Sequence, residues 1–270
     1  MMLKISPEFT ISTNAILKAN KLVHDEMNGL RKDYFPNLSQ KEFLKQYIYT
    51  DSRFLFLLQF RCLFNGLVDI IFERKLFDFV RLFHPNIELF DLSYLRFHHI
   101  NQKSYKNKRL DNFLAGPLHY DNYDEDTLTT WIPFQNINSE TGSLVTTDNE
   151  YLIKNTGLGN NLEGITPKVF HSKSFVKRNK KYIKFLKSKC KTYELKLGQC
   201  IIFDKSVLHG STYAFKKDRI SFDLRWKKVE NNNNYKDLKI QLKQFRSDAL
   251  ENLYRNNDDL FIKKNKTIIV

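Results

Sequence analysis

The chain is poor in cysteine, in glycine and in long apolar runs. Its 270 residues hold three cysteines, Cys62, Cys190 and Cys200, an odd number with no Cys-x-x-Cys pair. That pattern suggests neither a disulfide scaffold nor a zinc knuckle. Nine glycines are few for a phosphate-cradling design. Gly157 and Gly159 lack the third spaced glycine of a dinucleotide fingerprint, and no P-loop pattern occurs. The opening MMLKISPEFTIST has no apolar run and does not read as a signal peptide. The most apolar stretch, FLFLLQFRCLFNGLVDIIF from Phe54, is broken by Arg61 and Asp69. A spanning helix needs about 20 predominantly apolar residues. The stretch reads instead as a buried amphipathic helix. The expectation is a soluble, reduced, cytoplasmic protein without a membrane partner.

Hydrophobic residues make up 41% of the chain and aromatics 14%, enough for a sizeable core, so wholesale disorder is excluded. No linker-like segment divides the sequence, which predicts one domain over 1–270. Charge is abundant and unbalanced. Lys+Arg total 44 and Asp+Glu 30, so the formal net charge is 44 − 30 = +14. Lysine exceeds arginine, 32 to 12, and there are 25 asparagines. Two readings stay open: a compositional bias spread over a solvated surface, or an acidic partner. The segment Lys168 to Lys191 holds ten Lys or Arg and no acid, leaving 14 − 10 = +4 for the rest. Its charge is either a solvated helix face or a lid that draws in an acidic substrate. Nucleic acid is disfavoured as a partner. No recognised binding motif occurs, and the aromatics sit in apolar strands, not along a basic face. The sequence is silent on oligomeric state.

The first part, 1–85, reads helical. Apolar positions are spaced between charges from Asn14 to Lys32. Ser39 and Glu42 form a capping-box pattern before KEFLKQYIY, and the helical pattern continues from Arg53 to Phe83. The pattern then changes. Ile87–Ile100, Leu128–Ile137, Gly142–Asp148, Tyr193–Asp204 and Arg219–Val229 read as strands separated by short turns. The basic segment 168–191 interrupts this series over 86–230. Four asparagines, Asn231 to Asn234, mark a loop, and a last helix is predicted from Lys236 to about Tyr254, within 231–270. Many short strands behind N-terminal helices predict a mainly β chain with flanking helices, an antiparallel barrel or jelly roll.

Of seven histidines, two sit in suggestive company. His119 and Asp121 form an H-x-D pair, and residues two apart on a strand share a face. His209 follows the apolar CIIFD and a short turn, 90 residues after His119. Two histidines and one carboxylate on one face of a metal leave open coordination positions, the non-haem Fe(II) oxygenase arrangement. Ten residues after His209 comes Arg219, with Ser221 two further on. A guanidinium grips a carboxylate by two parallel hydrogen bonds, and a neighbouring hydroxyl adds a donor.

LHYDNYDEDTLTTWIPFQNINSETGSLV and FDKSVLHGSTYAFKKDRISFDLRW together resemble the phytanoyl-CoA dioxygenase-like family of Fe(II)/2-oxoglutarate oxygenases. The resemblance spans roughly Ile87 to Val229, about half the chain. It implies a double-stranded β-helix, cupin-like, with Fe(II), 2-oxoglutarate as cosubstrate and O2. By position it implies His119, Asp121 and His209 as iron ligands. Arg219, helped by Ser221, would hold the distal carboxylate of 2-oxoglutarate. Trp131 matches a position lining the cosubstrate pocket, its alternative being plain core. Arg225 is the competing arginine, with a structural role. The run after Glu140-Thr-Gly-Ser-Leu departs from the family's Pro-Gly-Ser-His and reads Val145-Thr-Thr-Asp-Asn-Glu, which alters a wall of the substrate site and leaves the metal site untouched. Around the site, Arg96 and His98 alternate on one strand face and are candidates to contact an anionic substrate or the cosubstrate, the alternative being an exposed polar face. Asn122 and Tyr123 follow the metal carboxylate and are candidates to line the mouth. The activity implied is hydroxylation of a small or carrier-linked metabolite, with release of succinate and CO2. The alternatives are an oxygen-independent cupin-type metalloenzyme and a non-catalytic basic binding protein.

Overall fold

The structure, a computed structural model, describes residues 3–48, 52–98, 121, 126–147, 190–212, 214, 216–230, 234–238, 242 and 251. His119, Asn122, Tyr123 and nearly all of the basic segment 168–191 lie outside the described residues, as does most of the predicted C-terminal helix.

The helical layer begins with α1 (Thr13–Tyr34). Ser12 caps it by accepting a hydrogen bond from the Ala15 amide, and the Glu73 carboxylate accepts from the Ser12 hydroxyl at 2.7 Å. Ala15, Ile16, Ala19, Val23, Met27 and Leu30 recur at helical spacing and are all buried, so α1 turns one stripe inward. Ser39 and Glu42 form the expected reciprocal capping box at α2 (Gln40–Phe43), which runs on into a π-helical turn over Leu44–Ile48. The helical run predicted over Arg53–Phe83 is divided into α3 (Ser52–Phe64), α4 (Leu67–Ile71) and α5 (Arg74–Arg81). The first break falls at Gly66, whose φ of 84° is the left-handed conformation that glycine adopts without steric penalty. No helix among the described residues is long and apolar enough to cross a membrane.

The strands among the described residues are β1 (Leu3–Ile5), β2 (Ile87–His98), β3 (Thr127–Pro133), β4 (Leu144–Thr146), β5 (Lys191–Thr192), β6 (Ile201–Asp204), β7 (His209–Ser211) and β8 (Arg219–Lys228). They form a five-stranded sheet, ordered β1-β6-β3-β8-β2, and a three-stranded sheet, ordered β5-β4-β7, antiparallel throughout. The N-terminal part is therefore not wholly helical. Its first residues pair with β6, a tertiary contact that a three-residue segment cannot announce. The chain is a mixed helix and antiparallel-sheet structure in which the helical layer forms half of the main core.

β8 explains the layering. Ile220, Phe222, Leu224 and Trp226 join Leu128, Ile132 and the helices in one large apolar cluster. Arg219, Ser221, Asp223 and Arg225 alternate with them and point the other way, yet are buried too. On that second face Trp131, Ile201 and Phe203 of the large sheet meet Leu144, Leu195 and Val207. The two sheets thus share a small apolar cluster, and the polar row of β8 runs beside it. Past β8, Asn234 accepts hydrogen bonds from the amides of Lys236 and Asp237 and opens a helical turn over 235–238, whose Leu238 closes the helix-side core.

Candidate metal and dicarboxylate site

Asp121 lies just before β3, and His209 opens β7. β3 belongs to the five-stranded sheet and β7 to the three-stranded one, so the two residues meet between the sheets, with the His209 Nε2 3.8 Å from Asp121 Oδ1. Both are buried. Each is held in place by a neighbour. The Thr129 hydroxyl donates to Asp121 Oδ2 at 2.9 Å, and Arg225 Nη2 lies 3.4 Å from Oδ1. His209 Nδ1 is 2.9 Å from the Val207 carbonyl oxygen. A carbonyl only accepts, so Nδ1 is the donor there and Nε2 is the ring nitrogen that faces the carboxylate. The Phe203 ring packs on the imidazole with centroids 4.6 Å apart. An oriented imidazole beside an oriented carboxylate, each with its partner, is the donor chemistry of a transition-metal site. Among the described residues no third His, Cys, Asp or Glu joins them. His119 lies outside those residues.

The other end of the same face is built differently. Arg219 is fully buried, and its Nε, Nη1 and Nη2 have no hydrogen-bond partner. The Ser221 hydroxyl, equally buried, has none either. Trp131 lies under the guanidinium, 5.6 Å from ring centroid to Cζ. Burial pulls the Arg219 pKa down to about 9, with the negative charge of Asp223 opposing it. A buried guanidinium without a carboxylate carries an uncompensated desolvation cost. Three orphaned guanidinium nitrogens and a hydroxyl on one wall fit a carboxylate that arrives with a ligand.

The remaining candidates separate. Arg96 sits opposite Ser221 in the β2–β8 register, half-exposed, and its Nε bonds Asp223 Oδ2 at 2.9 Å. His98 stands in register with Arg219. Thr129 and Asp223 were not among the residues singled out from the sequence. Both follow from alternation: Thr129 stands two before Trp131, and Asp223 two after Ser221.

No protein-family model matches the chain, and no curated protein matches it in sequence. Solved structures to which it is similar include the non-heme monooxygenase ThoJ in a nickel complex, at 9% identity and TM-score 0.47 over 92% of this chain and 96% of that one. Another is the epimerase SnoN in complex with Fe3+, alpha ketoglutarate and nogalamycin RO, at 12% identity and TM-score 0.41, covering 84% of this chain and 78% of that one. A third is iron-bound EctD from S. alaskensis, at 13% identity and TM-score 0.45, covering 85% of this chain and 73% of that one. Likeness at that level assigns no residue and no activity.

Proposed function

We propose that the chain is an Fe(II)- and 2-oxoglutarate-dependent dioxygenase on a double-stranded β-helix, of the phytanoyl-CoA dioxygenase-like kind, hydroxylating a small or carrier-linked, acidic metabolite. The observation that carries this reading is one interior face with two complementary ends. At one end Asp121 and His209 stand together with their orientations fixed. At the other, Arg219 and Ser221 hold four buried polar atoms without partners. A ligand that chelates a metal by one end and carries a second carboxylate at the other satisfies both.

In this reading His119, Asp121 and His209 hold the iron, which when bound with O2 supplies the oxidation coupled to cosubstrate decarboxylation. The chain's own residues prepare the ground. Thr129 and Arg225 hold both oxygens of Asp121, so the carboxylate need not be reoriented on binding. The Val207 carbonyl keeps the His209 proton on Nδ1. Arg219 and Ser221 bind the distal carboxylate, and Trp131 supports the guanidinium from beneath. Phe203 and the apolar cluster between the sheets keep water from the interior face. His98, Asn122 and Tyr123 are assigned to the mouth, where a basic lid from 168–191 would draw in an acidic substrate.

The test is direct. The purified protein with Fe(II), 2-oxoglutarate and O2 forms succinate, and His209→Ala abolishes it. A wild-type protein that binds no divalent metal overturns the proposal, and turnover that persists without O2 replaces it with the oxygen-independent alternative.

A further inference from the structure

We propose that Arg96 is a positioning residue which holds Asp223 away from Arg219 and so keeps the Arg219 guanidinium available for the dicarboxylate. This rests on the reading of Arg219 as the dicarboxylate anchor, and it assigns Arg96 a role other than contact with substrate.

The starting point is an oddity of the polar row on β8. Arg219 and Asp223 are opposite charges on one buried face, four residues apart, about 13 Å between Cα atoms at the usual strand rise. That span is at the limit of what an extended arginine and an aspartate side chain, laid toward each other, can bridge. Asp223 is also the charge whose field acts on Arg219. Two such groups in a water-poor interior attract strongly, and a buried charge with no partner is costly. Yet the Arg219 nitrogens have no partner, while Asp223 has one. The difference lies in β2. Its register sets Arg96 opposite Ser221, midway between Arg219 and Asp223. From there the Arg96 Nε takes Asp223 Oδ2 at 2.9 Å, with the Arg96 side chain half in solvent and that of Asp223 mostly buried. Arg225, two residues further along the same face of β8, is engaged by Asp121. Each carboxylate on this face therefore has an arginine of its own, and Arg219 is the cation left over.

The arrangement favours an incoming carboxylate in two ways. Arg219 has already lost its water, so the ligand meets a donor that needs no further desolvation. It also displaces no internal ion pair. Without Arg96, the Asp223 carboxylate turns to the nearest unpaired cation, and a dicarboxylate must then compete with a tethered anion.

The test is calorimetric binding of 2-oxoglutarate to the Mn(II)-loaded protein under argon, with no turnover needed. Arg96→Gln weakens binding at least about tenfold, which is about 1.4 kcal/mol. Adding Asp223→Asn to Arg96→Gln restores wild-type affinity, because the competing anion is gone. Asp223→Asn alone binds at least as tightly as the wild type. Arg96→Gln binding at wild-type strength overturns the inference. So does equal weakening in the single and double variants, since that means Arg96 touches the ligand itself. If Arg96→Gln does not fold, comparison of Asp223→Asn with Arg96→Gln/Asp223→Asn decides the matter: equal affinities support the inference, and weaker binding by the double variant overturns it. A wild-type protein that binds Mn(II) but no 2-oxoglutarate overturns the reading of Arg219 instead.

Discussion

The two faces of β8 are equally buried and otherwise opposite. On one, Ile220, Phe222, Leu224 and Trp226 close the core against the helices. On the other, Arg219, Ser221, Asp223 and Arg225 face the second sheet. The helix-facing residues of β8 leave no polar side-chain atom unpaired. Their one polar hydrogen, on the Trp226 indole, is donated to the Thr130 hydroxyl at 2.8 Å. The interior side is incomplete at the Arg219 nitrogens, the Ser221 hydroxyl and the Arg225 Nε, and paired at both oxygens of Asp121. A strand buried on both faces ordinarily carries apolar residues on both. β8 instead carries two arginines inside, Arg225 paired with Asp121 and Arg219 without a hydrogen-bond partner. On the proposed reading, stability and function are divided between even and odd positions of a single strand.

That division is open to attack from either side, and the largest effect is expected on the helix face. Trp226→Ala removes a fully buried indole and should cost about 3–5 kcal/mol. Denaturant titration would show the loss to be the same with and without Mn(II) and 2-oxoglutarate. On the interior face Arg219→Met should behave in reverse. It removes an unpartnered buried charge, so the free protein should be as stable as the wild type or more so. What disappears is stabilisation by ligand, about 2.7 kcal/mol for the wild type at a hundredfold excess over Kd. Arg219→Met matching Trp226→Ala in the free protein would show the interior row to be ordinary structure.

Arg219 also predicts a pH dependence. Burial holds its pKa near 9 in the folded chain, below the ordinary guanidinium value of 12.5. The unfolded chain therefore binds the extra proton between these values. Stability of the free wild type relative to Arg219→Met should rise with pH across that window, and the penalty should be complete below it. Dicarboxylate affinity runs the other way, steady up to about pH 8 and weakening by up to tenfold per pH unit above 9 as the guanidinium loses its charge. Binding isotherms from pH 7 to 10 would check it, and an affinity flat to pH 10 would remove Arg219 as the anchor.

Much of this division is legible in the sequence. RISFDLRW alternates so plainly that Arg219, Ser221 and Arg225 fall on one face before any coordinates, and the Ser39–Glu42 capping box was readable from residue types alone. What was not legible depends on partners distant in sequence. β1 exists because Leu3–Ile5 finds β6 about 200 residues later, and three residues carry no periodicity of their own. The pairing of Arg96 with Asp223 needs the β2–β8 register, which passes through an irregularity between Phe90 and Tyr94. Alternation alone places Arg96 and His98 on a common face without saying what they meet there. Local pattern reveals which way a side chain points, and register decides what it touches.

The smallest expected effects make the finest comparison, because Thr129 and Thr130 are neighbours of the same type on opposite faces of β3. Each hydroxyl makes one side-chain hydrogen bond, Thr129 to the Asp121 carboxylate and Thr130 from the Trp226 indole. Valine keeps the shape and deletes the bond. Thr130→Val leaves a buried indole N–H without an acceptor and should cost about 1–3 kcal/mol of stability, with metal affinity unchanged. Thr129→Val should cost less stability, because Arg225 still neutralises Asp121. It should weaken Mn(II) binding about 10–100-fold, since the carboxylate loses the partner that orients it. Measuring both quantities on both variants gives four numbers, and the division holds only if the large ones fall on the diagonal. Equal effects of the two valines on metal affinity would mean that the interior face is tuned by general packing of the sheet, and that Thr129 has no particular hold on Asp121.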